Sequence, residues 1–170
     1  MPRLIDRILT ELKEKESADI PTTTTTFKAV LRRDIPHSWD VSMFESDQIA
    51  GYVVVQLRED DRYHLENQAV MGEYKHPGMK DGFGWGIEVH PRYHGRRIGH
   101  ALLSIGIGLA LRDFLEKPLA NFEVFAGGLG DNGTFYEKFG FKIQPYNLGG
   151  KRPYLVGRYR QQTVPDIAIV

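Results

Sequence analysis

The stretch VHPRYHGRRIGHALL, residues 89–103, decides how this chain is read. A strand-like apolar end gives way at Pro91 to a segment rich in glycine and positive charge. A helical pattern then follows, carried by Ile98, Ala101, Leu102, Ile105 and Leu109. A strand that turns through Gly95 into a helix starting near Arg96 aims several unpaired backbone N–H groups into one small space. Those donors and the aligned peptide dipoles attract anions, phosphates above all. Gly95 and Gly99 permit close backbone approach, while Arg96, Arg97 and His94 add positive charge. The segment suits a diphosphate. A tight strand-to-helix turn with solvated arginines is the plainer alternative.

The flanking sequence supplies the architecture. WGIEV leads into the loop as a strand, FEVFA at 122–126 forms the next, GTFYEKF at 133–139 a short helix stopped by Gly140, and PYLVGRY at 153–159 a last strand. In the helix at 96–115, small Ser104, Gly106 and Gly108 allow close packing on a sheet. Upstream, Leu4, Ile5, Ile8, Leu9 and Leu12 recur at helical spacing, predicting a helix over 3–16 within an N-terminal helical segment, 1–20. TTTTTFKAVLRR reads as a strand, with a Thr-rich linker as the alternative. Residues 39–44 and 49–57 alternate about the polar turn Ser46-Asp47-Gln48 and read as a hairpin. Between 58 and 84 the pattern dissolves into charge, His, Gly and Pro, a long connecting segment and a candidate substrate lid. The order strand, helix, strand, helix, strand predicts an α/β fold whose mixed central sheet contains a parallel strand pair and is flanked by helices. Its 170 residues form one domain, 1–170, with no internal repeat.

Composition removes several functions. Twenty-two basic residues balance 22 acidic ones, so no global field draws the molecule to nucleic acid or membrane. No cysteine is present, which excludes disulfides, thiolate nucleophiles and cysteine-ligated zinc. The six histidines are scattered mostly over loops, not paired with carboxylates at metal-ligand spacing. GFGWGI at 82–87 has Ile87 where a dinucleotide fingerprint needs a third glycine and precedes a strand instead of following one; no GxxxxGK[S/T] occurs. The charged first residues form neither signal peptide nor anchor, and the expected setting is cytoplasmic.

VHPRYHGRRIGHALL followed by NGTFYEKFGF at 132–141 resembles the GNAT family, the acetyl-coenzyme A dependent N-acetyltransferases. That family's loop reads Q/R-x-x-G-x-G/A after a V-x-P strand end, and its later helix carries a tyrosine in a Y-E-K-x-G-F context. Here the loop is His94-Gly95-Arg96-Arg97-Ile98-Gly99 and the tyrosine is Tyr136. The resemblance spans roughly residues 40–160. It departs at His94, in place of Gln or Arg, and at Arg97, in place of glycine. Only DIPHSWD separates the first two predicted strands, where the family has two helices walling the acceptor site; the 58–84 segment is the candidate replacement.

What the resemblance implies is a GNAT-like fold with the parallel pair at the cofactor cleft. Acetyl-CoA would lie there, its pantetheine bonded to the main chain of Ile87 and Val89 and its diphosphate held by the 94–99 loop. Direct transfer to a primary amine would follow, with Tyr136 as general acid on the leaving thiolate. The alternative for Tyr136 is a core aromatic beside Phe135 and Phe139. Strand alternation sets Glu88 beside Gly84 and Gly86, opposite Trp85, Ile87 and Val89, making it a candidate base; an ion-paired structural glutamate is the alternative. Asn132 reads as a side-chain cap of the short helix or a pantetheine contact, His90 as a turn residue and His100 as helix surface. The acceptor is an amine on a small molecule or on a protein or peptide; Glu66, Glu73 and Asp81 suit a cationic one. A catalytically inactive module binding coenzyme A or a protein partner is the other functional reading. The strand-like tail TVPDIAIV leaves monomer and homodimer both open.

Overall fold

The computed structural model describes residues 2–33, 38–58, 68–71, 73–74, 84–115, 123–127, 129, 132–146 and 154–170. Helix α1 (Leu4–Lys15) buries Ile5, Ile8, Leu9 and Leu12 along the expected stripe. It is shorter than the predicted helical segment. Glu16 adopts a left-handed φ of 62° that ends it, and the chain returns at once as β1 (Ser17–Pro21), which buries Ala18 and Ile20 in alternation. The threonine run divides. Thr22 caps a turn by accepting the Thr25 N–H at 3.1 Å, and β2 (Thr26–Arg32) buries Phe27, Ala29 and Leu31.

Strands β3 (Ser38–Glu45) and β4 (Gln48–Arg58) form the predicted hairpin, with Ser46 at a φ of 50° in its turn. β5 (Gln68–Met71) and β6 (Glu73–Tyr74) lie within the expected connecting segment, so that stretch contributes strands in addition to any lid. The rest of the proposed lid, with Glu66 and Asp81, lies outside the described residues, as does the Glu73 side chain. β7 (Gly84–Trp85) pairs with β6, and Gly86, at a φ of 45°, breaks the strand before β8 (Ile87–Val89). Alternation therefore holds over Ile87–Val89 alone.

Helix α2 (Ile98–Leu115) begins two residues later than expected. After it come β9 (Glu123–Gly127), α3 (Gly133–Phe139), β10 (Lys142–Tyr146) and β11 (Tyr154–Tyr159). β10 is an element beyond those expected, and its Pro145 is tolerated because β10 lies at the sheet edge.

The main sheet runs β1-β2-β3-β4-β5-β9-β11-β10, and β8 also pairs with β4. The parallel pair is β5 with β9, Ala69 opposite Val124, and not the strand ending at Val89 with β9. β8 and β5 divide one edge of β4: Gly51, Tyr52 and Val53 pair antiparallel with β8, and residues 55–58 with β5. β8 and β9 are thus unpaired with each other.

Close approach fixes this geometry at two glycines. A Cβ on Gly51 would lie 2.6 Å from the Glu88 carbonyl, and one on Gly106 2.9 Å from Val53 Cγ1, which is how α2 comes down on β4. Gly108 and Ser104 serve other neighbours than the expected sheet. Gly108 faces Leu9 of α1 and Val164, and the Ser104 hydroxyl donates to the Pro165 carbonyl at 2.8 Å. The tail, residues 160–170, accordingly forms no strand. It packs on its own chain, burying Val164 and Ile167, while Asp166 accepts the Ile5 N–H at 2.9 Å. Covered by sheet, α1 and tail, α2 is apolar nearly all round.

Candidate active site

The path from β8 to α2 is built residue by residue. His90 is the turn residue expected, its Nδ1 accepting the Arg92 N–H at 3.2 Å above a 3-10 turn at Pro91–Tyr93. Tyr93 is buried and donates to Glu45 at 3.1 Å; burial, reinforced by that carboxylate, raises its pKa. His94 Nε2 donates to the Val89 carbonyl at 2.9 Å, clasping the strand end to the loop. Gly95 and Arg97 are both left-handed, φ 78° and 63°. The glycine usual at position 97 of such a loop thus has a conformational reason, which Arg97 meets at a cost of about 1–2 kcal/mol.

The first intrahelical bond of α2 runs from Ala101 N–H to the Arg97 carbonyl, 3.1 Å. The N–H groups of Ile98, Gly99 and His100 precede it, with no helical carbonyl to meet. Buried Ile98 anchors this turn, and a Cβ on Gly99 would meet the Phe135 ring at 3.0 Å. Glycine here brings α3 against α2 as well as keeping the loop open.

Between β8 and β9 lies a cavity of about 770 Å³. Ile87, Glu88 and Val89 line it from β8, His94, Gly95, Arg97, Ile98 and Gly99 from the loop, and Asn132 and Tyr136 from α3 and its approach. Every predicted site residue but one is brought together there. Arg96 is the exception and corrects the expectation of a phosphate contact. Its Nε donates to the Val170 carbonyl at 2.9 Å, and its guanidinium lies over Phe27 and 4.0 Å from Glu45. Asn132 is corrected too, since its side chain makes no capping hydrogen bond.

The backbone of β8 faces two ways. Gly86 accepts from Val54 N–H at 2.6 Å, and His90 N–H donates to Ala50 at 2.8 Å, so even-numbered residues turn their main chain to β4. Ile87 and Val89 therefore direct theirs to the cavity side, where β9 does not pair with them. This unpaired edge, the free amides of the α2 turn and the open space at Gly95, where a Cβ would meet nothing within 4 Å, fit a pantetheine arm and a diphosphate.

Tyr136 is both core and cavity wall. Its ring stands edge-on to Phe135 and Phe141, each 5.2 Å away, and burial pushes its pKa up to about 12. The phenol stays protonated at neutral pH. Glu88 has a partner that sequence reasoning missed: Tyr52, across β4, donates to its Oε2 at 2.8 Å. The register Tyr52↔Glu88 follows from the β4–β8 pairing, which local periodicity does not reveal. His100 was also misplaced. It lines the cavity with its ring edge-on to Phe135 and Phe139, and burial, then the charges of Arg97 and Lys138, lower its pKa.

A family model described as "Acetyltransferase (GNAT) family" matches residues 4–141. The chain belongs to the GNAT acetyltransferases. This GNAT chain is therefore a member of a transferase family, and acyl transfer is its family chemistry. Among solved structures it is similar to Escherichia coli ElaA, at 16% identity and TM-score 0.50, over 71% of this chain and 67% of that one. It is also similar to an acetyltransferase of the GNAT family from Streptococcus pneumoniae, at 17% identity and TM-score 0.49, over 75% and 70%. At such identity the likeness to ElaA speaks for the fold alone. The chain matches none of the curated proteins with which it was compared. No described helix is long and apolar enough to cross a membrane, and the described residues hold no cluster of metal-ligating side chains.

Proposed function

We propose that this GNAT protein transfers an acetyl group from acetyl-CoA to a primary amine by direct attack. The observation carrying the reading is the unpaired edge of β8, which opens opposite β9 and leads to the free amides of the α2 turn. Main-chain groups of Ile87 and Val89 bind the pantetheine arm, with His94 holding the Val89 carbonyl. Amides of Ile98, Gly99 and His100 take the diphosphate.

Tyr136 serves the leaving thiolate. A phenol near 12 is a poorer acid than a thiol of ordinary pKa about 8.5. Its main contribution is therefore a donated hydrogen bond that stabilises charge building on sulfur, with proton delivery following. Glu88 accepts the proton of the attacking amine, directly or through water. Tyr52 engages Oε2 and orients the carboxylate, leaving Oε1 for the amine proton.

Calorimetry with acetyl-CoA tests the binding, and Tyr136→Phe tests the chemistry. Turnover should fall by roughly 10²–10⁴ with cosubstrate affinity unchanged. An unaltered rate removes the proposed acid, and absence of binding to folded protein removes the enzyme. A catalytically inactive module would bind coenzyme A equally well and release none from acetyl-CoA with any of a panel of amines.

A further inference from the structure

Of residues 93–100, Arg96 alone does not line the cavity. It stands between two left-handed residues, Gly95 at a φ of 78° and Arg97 at 63°. Glycine adopts that conformation freely, whereas at Arg97 it is strained. A strained residue persists only where its surroundings over-determine it. Here the restraints converge on Arg96. Its carbonyl accepts the Val170 N–H at 3.1 Å while its Nε donates to the Val170 carbonyl at 2.9 Å, so main chain and side chain are clasped to one residue of the tail. Its guanidinium lies 5.3 Å from the centre of the Phe27 ring and 6.0 Å from that of Tyr93, with Glu45 4.0 Å away. Those partners are themselves fixed. Phe27 and Tyr93 are buried and stand edge-on to each other at 5.9 Å, and Tyr93 donates to the same Glu45 carboxylate at 3.1 Å.

We propose that Arg96 is a positioning residue. By fixing the chain on the side away from the cavity it holds Arg97 left-handed, and so presets the Ile98, Gly99 and His100 amides before a ligand arrives. Strain at one arginine is met by restraint at the other. A loop that samples other conformations binds only in proportion to its competent fraction, so losing the clasp lowers affinity without removing a ligand contact. The inference rests on the acyl-CoA reading above, since the amides are set for that diphosphate.

The test is a double-mutant cycle on the full chain with Arg96→Met, Arg97→Gly and both together. Methionine keeps an apolar stem beside Phe27 and removes the donors and the charge. In calorimetry with acetyl-CoA, Arg96→Met should weaken binding about tenfold in the wild-type background, the equivalent of a left-handed strain of this size. Beside Arg97→Gly, where glycine needs no restraint, the same substitution should change affinity by less than about twofold. A merely structural role would cost the same in both backgrounds, and equal losses, or none in either, overturn the proposal. Glu45→Gln keeps an acceptor for Tyr93 and removes only the charge facing Arg96; it should act in the same direction with a smaller effect, and covers the case in which Arg96→Met does not fold. Hydrogen exchange on ligand-free protein reads the same restraint without acetyl-CoA. The Ala101 amide, bonded to the Arg97 carbonyl at 3.1 Å, should exchange faster in Arg96→Met and regain its protection in the double variant. Unchanged exchange in Arg96→Met sinks the clasp. Exchange that responds as expected in protein that binds no acetyl-CoA sinks the acyl-CoA reading instead.

Discussion

At the α1 end of the molecule, Arg3 lies 3.2 Å from Asp6, Arg7 2.8 Å from Glu11 and Lys13 3.0 Å from Asp113, whereas Arg97 at the cavity and Lys138 on α3 meet no carboxylate among the described residues. Packing differs in parallel. α1 is closed over by α2 and the tail, while β8 keeps one edge unpaired against a 770 Å³ space. The first region spends its interactions on itself. The second leaves donors and charge unmet, and on the proposed function a ligand recovers that cost.

The largest effect expected separates the two regions at their glycines. Gly51→Ala sets a methyl against the Glu88 carbonyl, a backbone atom that can move only with β8. It should cost about 1–3 kcal/mol in urea unfolding and raise the KM for acetyl-CoA as the cleft shifts. Gly108→Ala meets only the tips of Leu9 and Val164 and gains up to about 1 kcal/mol of helix propensity. It should stay near wild type, and equal losses at the two positions would erase the distinction between rigid and compliant neighbours. Next in size, Asp166→Ala removes the acceptor for the Ile5 and Ile167 N–H groups and should cost about 1 kcal/mol without altering KM. A changed KM would mean the tail reaches the cleft energetically.

Titration sharpens the same contrast. His100 has a folded pKa below the unfolded value near 6.5, so the unfolded chain binds the proton more readily. Its neutral form stabilises the fold fully above that pH, and the contribution is lost as pH falls through the lower folded value. His100→Phe should flatten the stability profile below pH 6.5 as read by thermal melts; an unchanged slope would assign the acid limb elsewhere. At the opposite limit, Tyr136 and Tyr159, both pushed up to about 12, stabilise below pH 10 and lose that contribution between 10 and 12.

Which of these features the sequence disclosed depends on the range of the contact. Stripes and turns were legible because they are local: Ile5, Ile8, Leu9 and Leu12 share a helix face, and GTFYEKF ends at Gly140, whose φ is 123°. The turn at 94–99 was legible because its backbone conformation is set by Gly95 and by the helix start. Register was not. Nothing in residues 68–71 announces that β5 takes the place beside β9 expected for the strand ending at Val89, and nothing near Glu88 names Tyr52. Arg96 and Arg97 look equivalent as a charged pair, yet the tail that captures Arg96 is about seventy residues away. His100 has the spacing of a surface residue. Only the approach of α3, admitted by Gly99, turns that position into cavity wall.

The smallest prediction is a difference in sign. Arg7→Gln removes an exposed i,i+4 pair with Glu11 and should cost about 0.3–0.5 kcal/mol at low salt. Lys138→Gln has no acidic partner among the described residues to lose and removes a charge that lowers the His100 pKa, so in the absence of ligand it should be neutral or stabilising by a few tenths of a kcal/mol. Both effects should fade in about 1 M salt, where screening acts over roughly 3 Å. Paired urea titrations at low and high salt read the sign directly. Should Lys138→Gln destabilise the ligand-free protein as Arg7→Gln does, the lysine would belong with the paired cations of the α1 end, and the contrast between paired and unpaired cations would fail at α3.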